Sequence, residues 1–181
     1  LLQLLGSQND MATIRLMDII EKKAQRMKQL ADHLFTYSFE AGEEEISLEE
    51  PEEAEEIFYD LFSETCGYLE QKGFSVDFRV EWEKGRVQIS GDYLIRIMDN
   101  ITSNIIKYAD AAFPVRISSA KTPIGFIFEN HVRFLEEKTE STEIGIQNIK
   151  SMMEKMGGKC IEETTGQVFR LTLWFPVVSD D

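Results

Sequence analysis

"MDNITSNIIKYAD" occupies residues 98–110, and the way this stretch folds decides how the rest of the chain is read. Leu94, Ile97, Met98, Ile101 and Ile105 fall on one face at the period of an α-helix. Asn100, Asn104, Lys107 and Tyr108 stand at i, i+4, i+7 and i+8, so two amides, a cation and a phenol stack along one side over two turns. An amide oxygen is a neutral hard ligand for Mg²⁺, which prefers oxygen and bridges to phosphates. A lysine one turn on supplies positive charge to the same phosphates, and a tyrosine packs on an aromatic base. The plain alternative is a helix whose polar residues face water, since Asn and Lys are common on exposed faces.

Working outward, Asp92 is the expected cap of this helix, which spans about residues 92–109. Downstream, "FPVRISSA" (113–120) and "IGFIFENHV" (124–132) alternate as two strands joined at "KTP". "EKTESTEIG" (137–145) reads as a polar loop. "IQNIKSMMEKM" (146–156) reads as a helix closed by Gly157 and Gly158. "KCIEETTG" (159–166) and "VFRLTLWFPV" (168–177) form a final hairpin. Upstream, Pro51 is expected to open a helix that Gly73 ends. "FSVDFRVEW" (74–82) and "EKGRVQISG" (83–91) are expected to pair as a hairpin turning at Lys84–Gly85. The fold class that results is α+β: a two-layer α/β sandwich with one mostly antiparallel sheet and helices on one face.

Ahead of the sandwich, "LLQLLG" (1–6) reads as the end of one helix, and residues 11–37 as a second, long one. In that helix Met17, Ile20, Ala24, Met27, Ala31 and Leu34 alternate three- and four-residue spacings, an a/d seam. Leu16, Ile19 and Leu30 widen it. One helix and a stub cannot close a bundle, so the expected completion is a homodimer through the 11–37 helix. Packing on its own globular domain is the alternative.

The formal net charge is −14, with no basic cluster of the kind nucleic acids require, so nucleic-acid binding is not expected. Much of the acid lies in "EAGEEEISLEEPEEAEE" (40–56), read as a solvated linker and helix start, or else as a docking surface for a basic partner. No apolar run reaches the roughly 18 residues of a membrane span. The chain opens on Leu1, so it is expected to be part of something longer whose membrane anchor lies upstream. Cys66 and Cys160 form no CxxC and are read as small buried apolar residues in a reducing compartment. His33 and His131 have no ligand-spaced partners and are read as a helix residue and a loop residue.

The order of residues in "LIRIMDNITSNIIKYA" closely resembles the N-box of bacterial two-component sensor histidine kinases, within the ATPase superfamily shared with gyrase and MutL. The family pattern N-x-x-x-N-x-x-K-Y is matched at Asn100, Asn104, Lys107 and Tyr108. "TEIGIQNIKSMMEKMGGKC" resembles the family's second glycine box, with Gly145 and Ile146 at the phosphate-binding helix start. "LMDIIEKKAQRMKQLADHLFTYS" resembles the second helix of the dimerisation and phosphotransfer domain. The resemblance implies a Bergerat-type ATP-binding fold at 43–181, preceded by a partial dimerisation hairpin at 1–42. It implies a protein histidine kinase with ATP and Mg²⁺ as cofactors, Asn104 as the metal ligand, and Asn100 and Lys107 near the phosphates. Tyr108 would lie beside the nucleotide. The γ-phosphate would go to a histidine outside this stretch and on to the receiver domain of a response regulator, a cytoplasmic phosphorelay.

Two departures are visible. The family's first glycine box, D-x-G-x-G, reads here "NHVRF": Asn130 replaces the aspartate that accepts from the adenine amino group, and the glycines are absent. The lid at 133–144 is short, and no acceptor-histidine motif is present. These motivate a rival, a degenerate non-catalytic dimerising module of the same fold. A serine kinase of the anti-sigma type is a further rival, which the long helix counts against.

Overall fold

The computed structural model describes residues 46–120, 124–133 and 140–178, with the backbone alone at 140–143, and in the N-terminal segment 13–17, 19–20, 22–24, 26–27, 30–31 and 34. The chain divides into two units, Leu1–Glu44 and Glu45–Asp181. In the first, the described residues between 13 and 34 are helical. All six seam residues are exposed in the single chain, among them Met27 at 71% and Leu34 at 69%. The stub at 1–6 and His33 lie outside the described residues. Among the described residues no helix is long and apolar enough to cross a membrane.

The second unit runs β1 (Glu52–Glu53), α1 (Ala54–Gln71), β2 (Val76–Arg79), β3 (Arg86–Val87), α2 (Gly91–Tyr108), β4 (Val115–Ala120) and β5 (Gly125–His131). It continues with α3 (Glu140–Lys155), β6 (Lys159–Thr165), β7 (Val168–Trp174) and β8 (Val177–Val178). The main sheet has the order β2-β4-β5-β7-β6, antiparallel throughout except for the parallel β2–β4 pair. A small antiparallel sheet joins β1, β3 and β8.

The expected β4–β5 and β6–β7 pairings are present. The expected 74–91 hairpin is not. β2 pairs with β4, while β3 crosses to the small sheet. The cause lies between them: Trp82 leaves the sheet to stack on Phe62, with ring centroids 6.2 Å apart, and the Gly85 carbonyl accepts from Ala54 N at 3.0 Å. Pro51 does not open α1. It precedes β1, and its carbonyl accepts from the Arg86 guanidinium, so the helix waits until Ala54. Gly73 does end α1: its φ of 90° and the Gly73 N→Glu70 O and Phe74 N→Leu69 O bonds satisfy the last carbonyls.

Along β5, Phe126, Phe128 and Asn130 share the face that receives the helices. Phe62 of α1 is the hub there, with Phe58, Phe78, Trp82, Phe126 and Phe128 all within 6.3 Å between centroids. The opposite face carries one row of charge across all five strands. Asp77, Arg116, Glu129, Arg170 and Glu163 are successive register partners with alternating sign. Arg116 bonds Asp77 at 3.1 Å and Glu129 at 2.8 Å, and Arg170 Nε bonds Glu129 at 3.0 Å.

Hydrogen bonds from Arg79 and then Arg116 hold the Asp77 carboxyl below the usual carboxylate range. Its stabilising contribution is therefore present above about pH 4 and is lost as the pH falls through that depressed value. Glu129 links two arginines, so Glu129→Ala is expected to cost about 1 kcal/mol, read as a lower urea midpoint at unchanged m-value. A midpoint equal to wild type would mean that the row contributes nothing to stability.

Candidate functional site

Helix α2 is built from both ends. Its apolar face, Tyr93, Leu94, Ile97, Met98, Ile101 and Ile105, is buried. Its N-cap is Ser90, without a side-chain capping bond; Asp92, the expected cap, falls instead in the first turn, where an acid complements the dipole. The capping acceptor comes from far upstream: Glu49 Oε1 takes the Gly91 amide at 2.9 Å, and the Glu49 amide bonds Ile89 O. At the other end Ile105 O is taken by Ala109 N. The guanidinium of Arg133 donates from Nη2 to Ile106 O at 3.1 Å and Lys107 O at 2.7 Å, and Arg133 N donates to Tyr108 O at 2.8 Å.

The two asparagines of α2 face α3. Asn100 is buried and donates from Nδ2 to Arg96 O at 2.9 Å, a bond within its own helix. Asn104 Nδ2 is buried without a hydrogen-bond partner. Both amides lie against Gly145: a Cβ built on that glycine would sit 3.5 Å from Asn100 Oδ1 and 3.6 Å from Asn104 Nδ2. Among the expected site residues these three are the group brought together. Lys107 is exposed, Tyr108 half-buried and Ile146 buried.

The helix carrying Gly145 starts earlier than the sequence suggested. It begins at Glu140, so Gly145 and Ile146 lie inside it and their amides bond within the helix. The amides left for other partners belong to its first turn, 140–143. No proline interrupts 140–155, and one interior glycine costs only about 1 kcal/mol, so the helix takes in residues 140–145 of the expected loop.

Asn130 ends the inner face of β5, 7% exposed, and its Nδ2 donates to His131 O at 3.2 Å. Beyond it the chain runs antiparallel to the end of α2, through the Ala109–Val132 bridge and the Asp110 N→His131 O bond of 2.7 Å. This stitching stands where glycines were missing from the sequence. His131 is the last residue of β5, not a loop residue, and its ring stacks on Phe113 at 4.1 Å.

Sequence reasoning missed Glu49 and Arg133, because their roles exist only once distant segments meet. Burial pushes the Cys160 thiol up to about 12, so it is no nucleophile at neutral pH. Among the described residues no group of three or more His, Cys, Asp and Glu side chains is placed to hold a metal ion.

The sensor histidine kinase YrkQ of Bacillus subtilis is 31% identical over 158 residues, covering 84% of this chain. The chain belongs to the sensor histidine kinase family. It spans 36% of the length of that kinase. No family model matches the chain. The catalytic domain of the histidine kinase ThkA superposes with a TM-score of 0.58 at 14% identity, over 72% of this chain and 98% of that one. Full-length ShkA in complex with AMPPNP superposes with a TM-score of 0.64 at 16% identity, over 84% of this chain and 36% of that one. These two likenesses concern the fold, which is the α+β sandwich of histidine kinase catalytic domains.

Proposed function

We propose that residues 43–181 bind Mg-ATP and present its γ-phosphate to a histidine outside this stretch, from which it passes to the aspartate of a response regulator's receiver domain. The observation that carries the reading is the close approach of Gly145 to Asn100 and Asn104, two helices meeting over paired amides with one buried donor left unbonded. An unpaired buried amide N–H costs stability, and such a cost persists where a ligand acceptor, such as a phosphate oxygen, is accommodated.

Asn104 fits a metal that takes a single neutral oxygen from the protein and the rest from phosphate and water. When bound, Mg²⁺ supplies neutralisation of phosphate charge. Asn100 and exposed Lys107 serve the phosphates, and Tyr108 lies beside the nucleotide. Phosphoryl transfer asks the protein mainly for positioning and charge, which these groups provide. The Asn130 Nδ2 donates to His131 O, and its oxygen is an acceptor suited to the amino group of adenine. AMPPNP in ShkA supports the same ligand class.

The exposed seam of the first unit supports its reading as the second helix of a dimerisation and phosphotransfer hairpin, at 1–42, closing on a second copy. In this reading the chain works in the cytoplasm. The rival, a decayed dimerising module, draws on Asn130 and on the stitched segment that replaces the glycines.

Calorimetric titration with a non-hydrolysable ATP analogue, with and without Mg²⁺, separates the two. Expected is binding that Mg²⁺ strengthens about tenfold, ~1.4 kcal/mol, with the guanosine analogue weaker. Absence of binding under both conditions hands the chain to the decayed-module reading.

A further inference from the structure

We infer that Arg133 is a positioning residue of the nucleotide site, setting the last turn of α2 against the end of β5; the inference rests on the nucleotide reading above. An α-helix leaves its last four carbonyls without intrahelical partners. In α2 these are Ile105 to Tyr108, and no glycine follows to close them, since the C-cap is Ala109 in extended conformation. All four are nevertheless satisfied: one by Ala109 N, two by the Arg133 guanidinium and one by the Arg133 amide. One residue therefore holds the three terminal carbonyls.

That turn carries Lys107 and Tyr108, and Asn104 lies one turn earlier. Arg133 stands three residues after Asn130, on a segment already bonded to the residues just past α2 through Asp110 N→His131 O. The guanidinium thus fixes the spacing between the residue assigned to the base and the residues assigned to phosphate and nucleotide. A planar fork with several donors bridges two carbonyls; an ammonium offers a point charge instead. Arg133 is exposed, so its removal is expected to leave global stability nearly unchanged.

The test compares wild type, Arg133→Ala and Arg133→Lys as the full chain. Affinity for the ATP analogue with Mg²⁺ is measured at low and high salt, alongside Tm and amide exchange. Expected is a loss of affinity of about tenfold in both variants, persisting at high salt, with Tm essentially unchanged. Amide exchange at 107–110 is expected to accelerate about tenfold in both, while the first half of α2 keeps its protection. Rescue by lysine would overturn the inference, because charge alone would then account for the effect. Unchanged exchange at 107–110 would overturn it whether or not nucleotide binds. A wild type that binds no nucleotide but shows accelerated exchange in the variants sinks the nucleotide reading and retains Arg133 as the anchor of the helix end.

Discussion

Asn104→Ala is expected to lose Mg²⁺-dependent nucleotide binding while remaining as stable as wild type or becoming more stable. The two halves of this result have separate causes. Binding falls because Asn104 contributes the amide oxygen proposed for the metal, and a methyl group offers no replacement. Stability holds because the amide nitrogen is buried without a partner. Deleting such a group relieves a desolvation penalty of about 1–3 kcal/mol, against which a few lost packing contacts are set. Alanine also has the higher helix propensity at this interior position. Calorimetry with the ATP analogue and urea unfolding on the same preparation read both halves. Retained affinity removes Asn104 from the site. A stability loss of about 2 kcal/mol or more would mean that the amide is structurally bonded.

Phe62→Ala is expected to have the largest effect on folding, a loss of about 3–5 kcal/mol. Phe62 is 1% exposed and joins α1 to β5 and to Trp82. It forms T-shaped pairs with Phe126 and Phe128 at 4.8 and 5.9 Å between centroids, and it stacks with Trp82. Truncation removes the transfer term and leaves a cavity among rings that cannot close together without moving the helix. The same packing draws residues 80–85 out of the sheet, so the loss should appear as a change in Trp82 fluorescence as well as in the urea midpoint. A change below about 1 kcal/mol would show that the cluster repacks freely and that Phe62 is not its hub.

The helix that carries the asparagines was legible almost to the residue: about 92–109 from its pattern, Gly91–Tyr108 in the structure. A strong 3.6-residue period survives any tertiary context. β4, β5, β6 and β7 were legible for the parallel reason that alternation marks a half-buried strand. Partners were harder. Alternation says that β2 and β3 are extended but not which neighbour each takes, and a parallel β2–β4 contact joins residues 39 apart. The start of α3 was misplaced because polar residues are as compatible with an exposed helical turn as with a loop. In the site, the identities of Asn100, Asn104 and Gly145 were readable, whereas their close approach needed the structure. Arg133 carried no local signal: an arginine after a strand resembles any other until the carbonyls of another element reach it.

The charged row across the outer face amounts to an error-detecting code for strand assembly. Each of its five members occupies a different strand, and each neighbour has the opposite sign. If β4 or β7, the two strands that flank β5, slips by a single residue, its arginine turns toward the aromatic layer and leaves a bare ion beside the rings of Phe126 and Phe128. Such a misassembled sheet is rejected by that penalty more than the correct one is favoured by its ion pairs. The code is also relative: reversing every sign at once would preserve the message, and reversing one letter would spoil it.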